Sequence, residues 1–208
     1  AQAGEEGSTR AYLPLNPDSS FNGAFMYLTD TGKQQFAPLT DGSLLEVTYQ
    51  DDSGAIAADS MAGWAASVVA DDDYSLVQRF SPNPIEDYPN DGSTVTITTS
   101  AGDSNVALAI ASPIYEILPG DSSAHTIDCY ATTVDGPIRD TTDTAAIIEP
   151  ISVTSENGEF MVNGKIGAFA PGKILVYLQD EKGNLIGEQV KIDAMIGQVS
   201  EIEATLKA

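Results

Sequence analysis

Apolar residues in this chain fall into short runs set apart by turn formers. Before residue 135 the runs lie at 24–29, 35–39, 44–50, 64–70, 74–80, 94–99, 106–111 and 126–134. Between them stand Asp30-Thr31-Gly32-Lys33, Asp41-Gly42, Asp51-Asp52-Ser53-Gly54, Asp71-Asp72-Asp73, a proline-rich stretch at 81–92 and Ala101-Gly102-Asp103. Side chains alternate between the two faces of a strand, so runs of this length broken by Gly and Asp predict antiparallel strands. One stretch departs from the rhythm. Ala55 to Ala66 is rich in alanine and carries Met61 and Trp64, which makes it the best helix candidate, although Gly63 and its short length count against a helix.

After Pro150 the rhythm tightens. Ile151 to Thr154, Phe160 to Val162, Ile166 to Phe169, Ile174 to Gln179, Leu185 to Ile192 and Gln198 to Leu206 read as strands, with turns at Glu156-Asn157-Gly158, Ala170-Pro171-Gly172 and Asp180 to Asn184. The fold class expected is all-β: an antiparallel β-sandwich or barrel over residues 18–148, followed by a small sandwich over 149–208. Residues 1–17 are expected to form an extended N-terminal arm, because Pro14 and Pro17 exclude a helix interior and the first ten residues are small and polar. On that reading Tyr12, Leu13 and Leu15 are partner-binding residues, displayed around and between prolines for the pockets of a neighbour's sheet edge.

Charge changes the picture of partners. Asp and Glu number 31 against 9 Lys and Arg, a net charge of -22. Nucleic-acid binding requires neutralising phosphates, so direct contact with DNA or RNA is not expected. No apolar run approaches the ~20 residues of a membrane-spanning helix, so no span is expected. The acids are uneven, with 23 acids and 4 bases in residues 1–150 against 8 and 5 in 151–208, which places the expected domain boundary near Glu149-Pro150.

Little classical site chemistry emerges. His125 and Cys129 are the single imidazole and thiol; four apart on a strand they share a face, but Asp128 points the other way, so a packed or surface His beside an inert buried Cys is expected. One Cys excludes an intrachain disulfide and a multi-cysteine zinc site. Gly167 to Lys173 has phosphate-loop spacing, yet Ile174 stands where a Mg²⁺-binding Ser or Thr belongs, so it reads as a turn. No catalytic residue and no obligatory cofactor is assigned. Among the acidic loops, Asp71, Asp72 and Asp73 are the candidate Ca²⁺ ligands, since that ion takes several loop oxygens. Of the aromatic residues, Tyr88, between Asp87 and Pro89, is the one expected at the surface.

The C-terminal residues carry a resemblance. Ile151, Val153 and Ser155, then Phe160 to Ile166, Ala168 to Asp180 and Lys182 to Gly187 resemble the Ig-like modules of bacterial surface proteins and phage virion proteins. The resemblance implies an accessory binding or spacing role. The function expected is therefore non-enzymatic: a structural or decoration protein of a phage virion or comparable surface assembly, located on a virion or extracellular surface. Its expected partners are other copies of itself and a capsid or surface-layer protein. A secreted carbohydrate-binding or adhesion module is the alternative, and a β-sandwich glycoside hydrolase using paired carboxylates is a third.

Overall fold

The computed structural model describes residues 10–15, 26–29, 32–35, 44–48, 54–60, 62–69, 74–84, 87–100, 103–134 and 136–207. Strands dominate them, and by contacts the chain divides into two compact units, Ala1–Tyr130 and Ala131–Ala208.

Unit 1 holds β1 (Arg10–Pro14), β2 (Met26–Thr29), β3 (Gly32–Gln35), β4 (Leu44–Thr48), β5 (Gly54–Ala58), β6 (Trp64–Val69), β7 (Tyr74–Phe80), β8 (Val95–Ser100) and β9 (Asp103–Ile110). In β10 (Ile127–Thr132) the chain passes from unit 1 to unit 2. One five-stranded sheet runs β10-β7-β6-β1-β4 and the other β3-β2-β5-β8-β9. Leu13 and Ala65 of the first sheet share a buried cluster with Val95, Ile97 and Val106 of the second, so the apolar faces of the two sheets close on each other. Among the described residues neither sheet closes on itself, and the barrel alternative is set aside in favour of the sandwich.

Alternation produces these strands. In β7, Ser75 and Val77 point inward while their neighbours are less buried, the period-two signature of a sheet face. The alanine-rich helix candidate is instead β5, a turn and β6, with Gly63 at φ +71 in the turn. Pairing with β8 and β7 overrides the helix preference of alanine, whose small side chains fit a closely packed sheet interface. Among the described residues the one α-helical element is a single turn, Pro89–Gly92, with proline in its first turn.

Residues 10–15 also depart from expectation. They form not an arm but an interior strand, with β1 paired to β4 on one side and β6 on the other. Only three or four apolar residues are needed to seat a strand once both edges are filled, a condition that the prolines do not prevent because Pro14 is the last residue of β1.

Unit 2 holds β11 (Asp140–Thr141), β12 (Ala145–Glu156), β13 (Glu159–Ala168), β14 (Gly172–Gln179), β15 (Leu185–Ala194) and β16 (Val199–Lys207). Its sheets are β11-β12-β13-β16 and the hairpin β14-β15. In β16 the alternation is strict: Ser200, Ile202, Ala204 and Leu206 are buried and the residues between them exposed. Val162, Ile202, Ala204 and Leu206 pack against Ile174, Val176, Leu178, Val190 and Ile192 of the hairpin. Phe160 to Val162 and Ile166 to Phe169, expected as two strands, belong to one long β13 except for Phe169. The contacts divide the chain at 130/131 rather than near 149, and β12 runs straight through Glu149-Pro150. Val134 explains this: its Cγ2 lies where a Cβ on Gly167 would stand, at 2.6 Å, so residues after 130 pack on β13. The charge step seen in the sequence marks a change in surface acidity, not the seam of the fold.

Candidate functional site

Tyr12, Leu13 and Leu15 are buried in unit 1. Tyr12 donates its hydroxyl to Glu46 Oε1 at 3.4 Å, and Arg10 lies 3.6 Å from the same carboxylate. Burial is the main cause that raises the Tyr12 phenol above its ordinary value. Side chains held this way are not free to enter a neighbour, so the partner-binding role expected of them is withdrawn. Asp71, Asp72 and Asp73 lie outside the described residues. Among the described residues, no three His, Cys, Asp or Glu side chains come together as a metal site.

Cys129 is exposed on β10, not buried, and His125 precedes that strand, so the shared strand face argued from the sequence does not exist. Tyr88 is buried rather than displayed: its hydroxyl accepts the Asn83 N–H at 2.9 Å, and burial raises its pKa. It borders a polar cluster inside unit 1. Ser60 N–H donates to Thr94 Oγ1 at 2.7 Å, Ser60 Oγ–H to the Trp64 carbonyl at 3.1 Å, and Thr94 N–H to the Ala58 carbonyl at 3.0 Å. Asp59, Ser60 and Thr94 have no solvent exposure, so this cluster ties strands together and meets no external molecule.

The exposed features lie elsewhere. Residues 111–126, between β9 and β10, form neither helix nor strand. Loops of this length without secondary structure are uncommon in compact domains and are often functional. Within it Pro113 and Pro119 bracket Ile114, Tyr115, Glu116, Ile117 and Leu118, whose apolar members are exposed by 67%, 41%, 55% and 59%. The main chain of the segment is tied at its ends: Ile114 N–H donates to the Asp87 carbonyl at 2.6 Å, and Asp121 N–H to the Leu118 carbonyl at 2.9 Å. Tyr115, Glu116 and Ile117 also line an open concavity of about 540 Å³ with Gly120, Asp121 and Ser122.

Unit 2 carries the complementary kind of feature. Val153 pairs with Val162, a core residue, and Ile151 Cδ1 lies where a Cβ on Gly164, opposite core Ile202, would stand. Both β12 side chains therefore point to the core face of their sheet. Yet Ile151 is 46% exposed and Val153 59%, because the facing layer has only two strands. β15 runs beside β16, and a Cβ on Gly187 would stand 2.6 Å from the Lys207 carbonyl, so β14 is the far edge of that layer. β11 pairs only with Ala146 and Ile147, so among the described residues no strand lies along the rest of that edge of β12.

Comparison with protein-family models, with curated proteins and with solved structures finds no match to this chain. No helix among the described residues is long and apolar enough to cross a membrane.

Proposed function

We propose that the chain is a non-enzymatic structural or decoration component of a virion or comparable surface assembly, present in many copies and in contact with itself and with a capsid or surface-layer protein. The observation that carries this reading is the bracketed segment Ile114 to Leu118, four large apolar side chains held in solvent between two prolines on a chain of net charge -22. Contiguous exposed apolar groups of this kind mark interaction sites. High acidity keeps such a protein soluble and disfavours nonspecific self-association until a specific contact forms. Mass spectrometry of purified particles or isolated cell envelopes tests it: the chain is expected there in stoichiometric copies, and its absence from both contradicts the reading.

A second reading, a secreted carbohydrate-binding module, draws on the concavity beside Tyr115, where an aromatic face adjoins Asp121 and Ser122. Binding on a glycan array that is lost in Tyr115→Ala supports it, and an array without signal removes it.

A further inference from the structure

We infer that the segment Ile114 to Leu118 of one copy adds as a strand to the open edge of β12 in unit 2 of a second copy, joining the chains head to tail. The inference rests on the multi-copy reading above and names the contact that carries it.

Both halves of the contact are incomplete within one chain. The donor is a five-residue stretch between two prolines, which lack an N–H; Ile114 N–H is taken by the Asp87 carbonyl, and the N–H groups from Tyr115 to Leu118 are those offered to a strand edge. At ~3.4 Å per residue it covers about 17 Å of a neighbouring strand. The acceptor is the part of β12 from Ile151 to Glu156, six residues with one edge unpaired among the described residues and two core-facing side chains part-exposed. An added strand there gains main-chain hydrogen bonds along β12, widens that sheet by one strand and lays its core-facing side chains beside Ile151 and Val153.

Side-chain alternation selects the face. Ile114, Glu116 and Leu118 share one side of an extended strand, Tyr115 and Ile117 the other. Turning the first set inward would bury the Glu116 carboxylate without a partner, a heavy desolvation cost. Tyr115 and Ile117 therefore face the core, where two apolar side chains spaced two residues apart meet Ile151 and Val153 at the same spacing. Glu116 stays in water.

The contact uses different surfaces on its two partners. It is heterologous, and each copy retains one free donor and one free acceptor, so the association continues into a ring or filament rather than stopping at two. A single such strand is a small interface, so modest affinity per joint is expected, multiplied by repetition. Both units are acidic, with 19 acids and 3 bases in residues 1–130 and 12 and 6 in 131–208, so joining is strengthened by salt.

Sedimentation velocity on the full chain, at about 0.15 M salt and above, reads the outcome. Wild type is expected to form species larger than monomer in a fraction that rises with concentration. Ile117→Asp and Val153→Asp, both at exposed side chains, are each expected to abolish association, whereas Leu118→Asp on the outward face retains it; circular dichroism checks that each variant is folded. An equimolar mixture of I117D and V153D is expected to give a 1:1 dimer and nothing larger, since one variant keeps only its acceptor and the other only its donor. Association retained in I117D or V153D, a mixture without dimer, or loss in Leu118→Asp equal to that in I117D overturns the pairing and leaves the multi-copy reading standing. A wild type that is monomeric throughout, its edge open or filled by its own segment, also overturns the pairing; the reading itself falls only if the chain is absent from the purified particles and envelopes.

Discussion

Gly63 and Phe80 meet backbone to backbone. The Phe80 N–H donates to the Gly63 carbonyl at 2.8 Å, and a Cβ on residue 63 would stand 2.4 Å from the Phe80 carbonyl oxygen. Residue 63 also adopts φ +71, a conformation that side chains with a Cβ rarely adopt. Gly63→Ala is therefore expected to destabilise unit 1 by about 2 kcal/mol or more, since neither the clash nor the dihedral can relax without moving β7. Trp64, the single tryptophan, is buried next door and reports unit 1 alone. Urea unfolding followed by its fluorescence checks the loss, and a midpoint unchanged from wild type contradicts it.

Thr94→Val tests the buried polar cluster. The valine keeps the shape but removes the acceptor of the Ser60 N–H, which lies in a fully buried setting. A donor left without its partner costs about 1–3 kcal/mol. The same fluorescence titration should show that loss, and Thr94→Ser, which restores the oxygen, should recover most of it.

Asp180 organises the β14–β15 turn. Its Oδ1 accepts N–H groups of Lys182 at 2.9 Å and Asn184 at 2.8 Å, and its Oδ2 accepts Asn184 Nδ2–H at 2.8 Å. The Asn184 side chain first, then these main-chain donors, hold the carboxyl below the ordinary aspartate range. A carboxyl depressed by folding contributes stability that is present above its unfolded pKa, about 3.9, and is lost as pH falls through the folded value. Carbon-13 titration should place Asp180 below that reference, with the Lys182 and Asn184 amides shifting over the same range. An ordinary midpoint would show that the turn does not depend on this carboxylate.

Salt should stabilise unit 1. Nineteen acids against three bases repel one another at low ionic strength, and at 0.15 M the screening length falls to about 8 Å. The melting temperature read from Trp64 is expected to rise with NaCl. Ca²⁺ at matched ionic strength then tests Asp71, Asp72 and Asp73: an increment beyond the NaCl curve assigns them a cation, and coincident curves remove them as candidates.

Much of the strand pattern was legible because one face of each sheet is buried. β7 coincides with the run 74–80, β16 with the strict alternation from Val199, and the β12–β13 hairpin with Asn157-Gly158, both at positive φ. The all-β class follows from that periodicity. What was illegible depends on neighbours. Alanines 55–66 pair into β5 and β6 because strands distant in sequence flank them, and Tyr12 is buried because β4 and β6 lie on either side of it. The candidate interaction segment left a faint signal, Pro113 and Pro119 around four apolar residues. It does not sit in a strand and so lacks strand rhythm; only its exposure in the fold separates it from core.

The exposed thiol of Cys129 has a consequence for valency. With one cysteine per chain, an oxidising milieu links at most two chains through a single S–S bond, after which neither has a thiol left. Covalent growth by disulfides stops there. An array of more than two copies must be held by contacts that reducing agents leave intact, and a single maleimide per subunit counts its members.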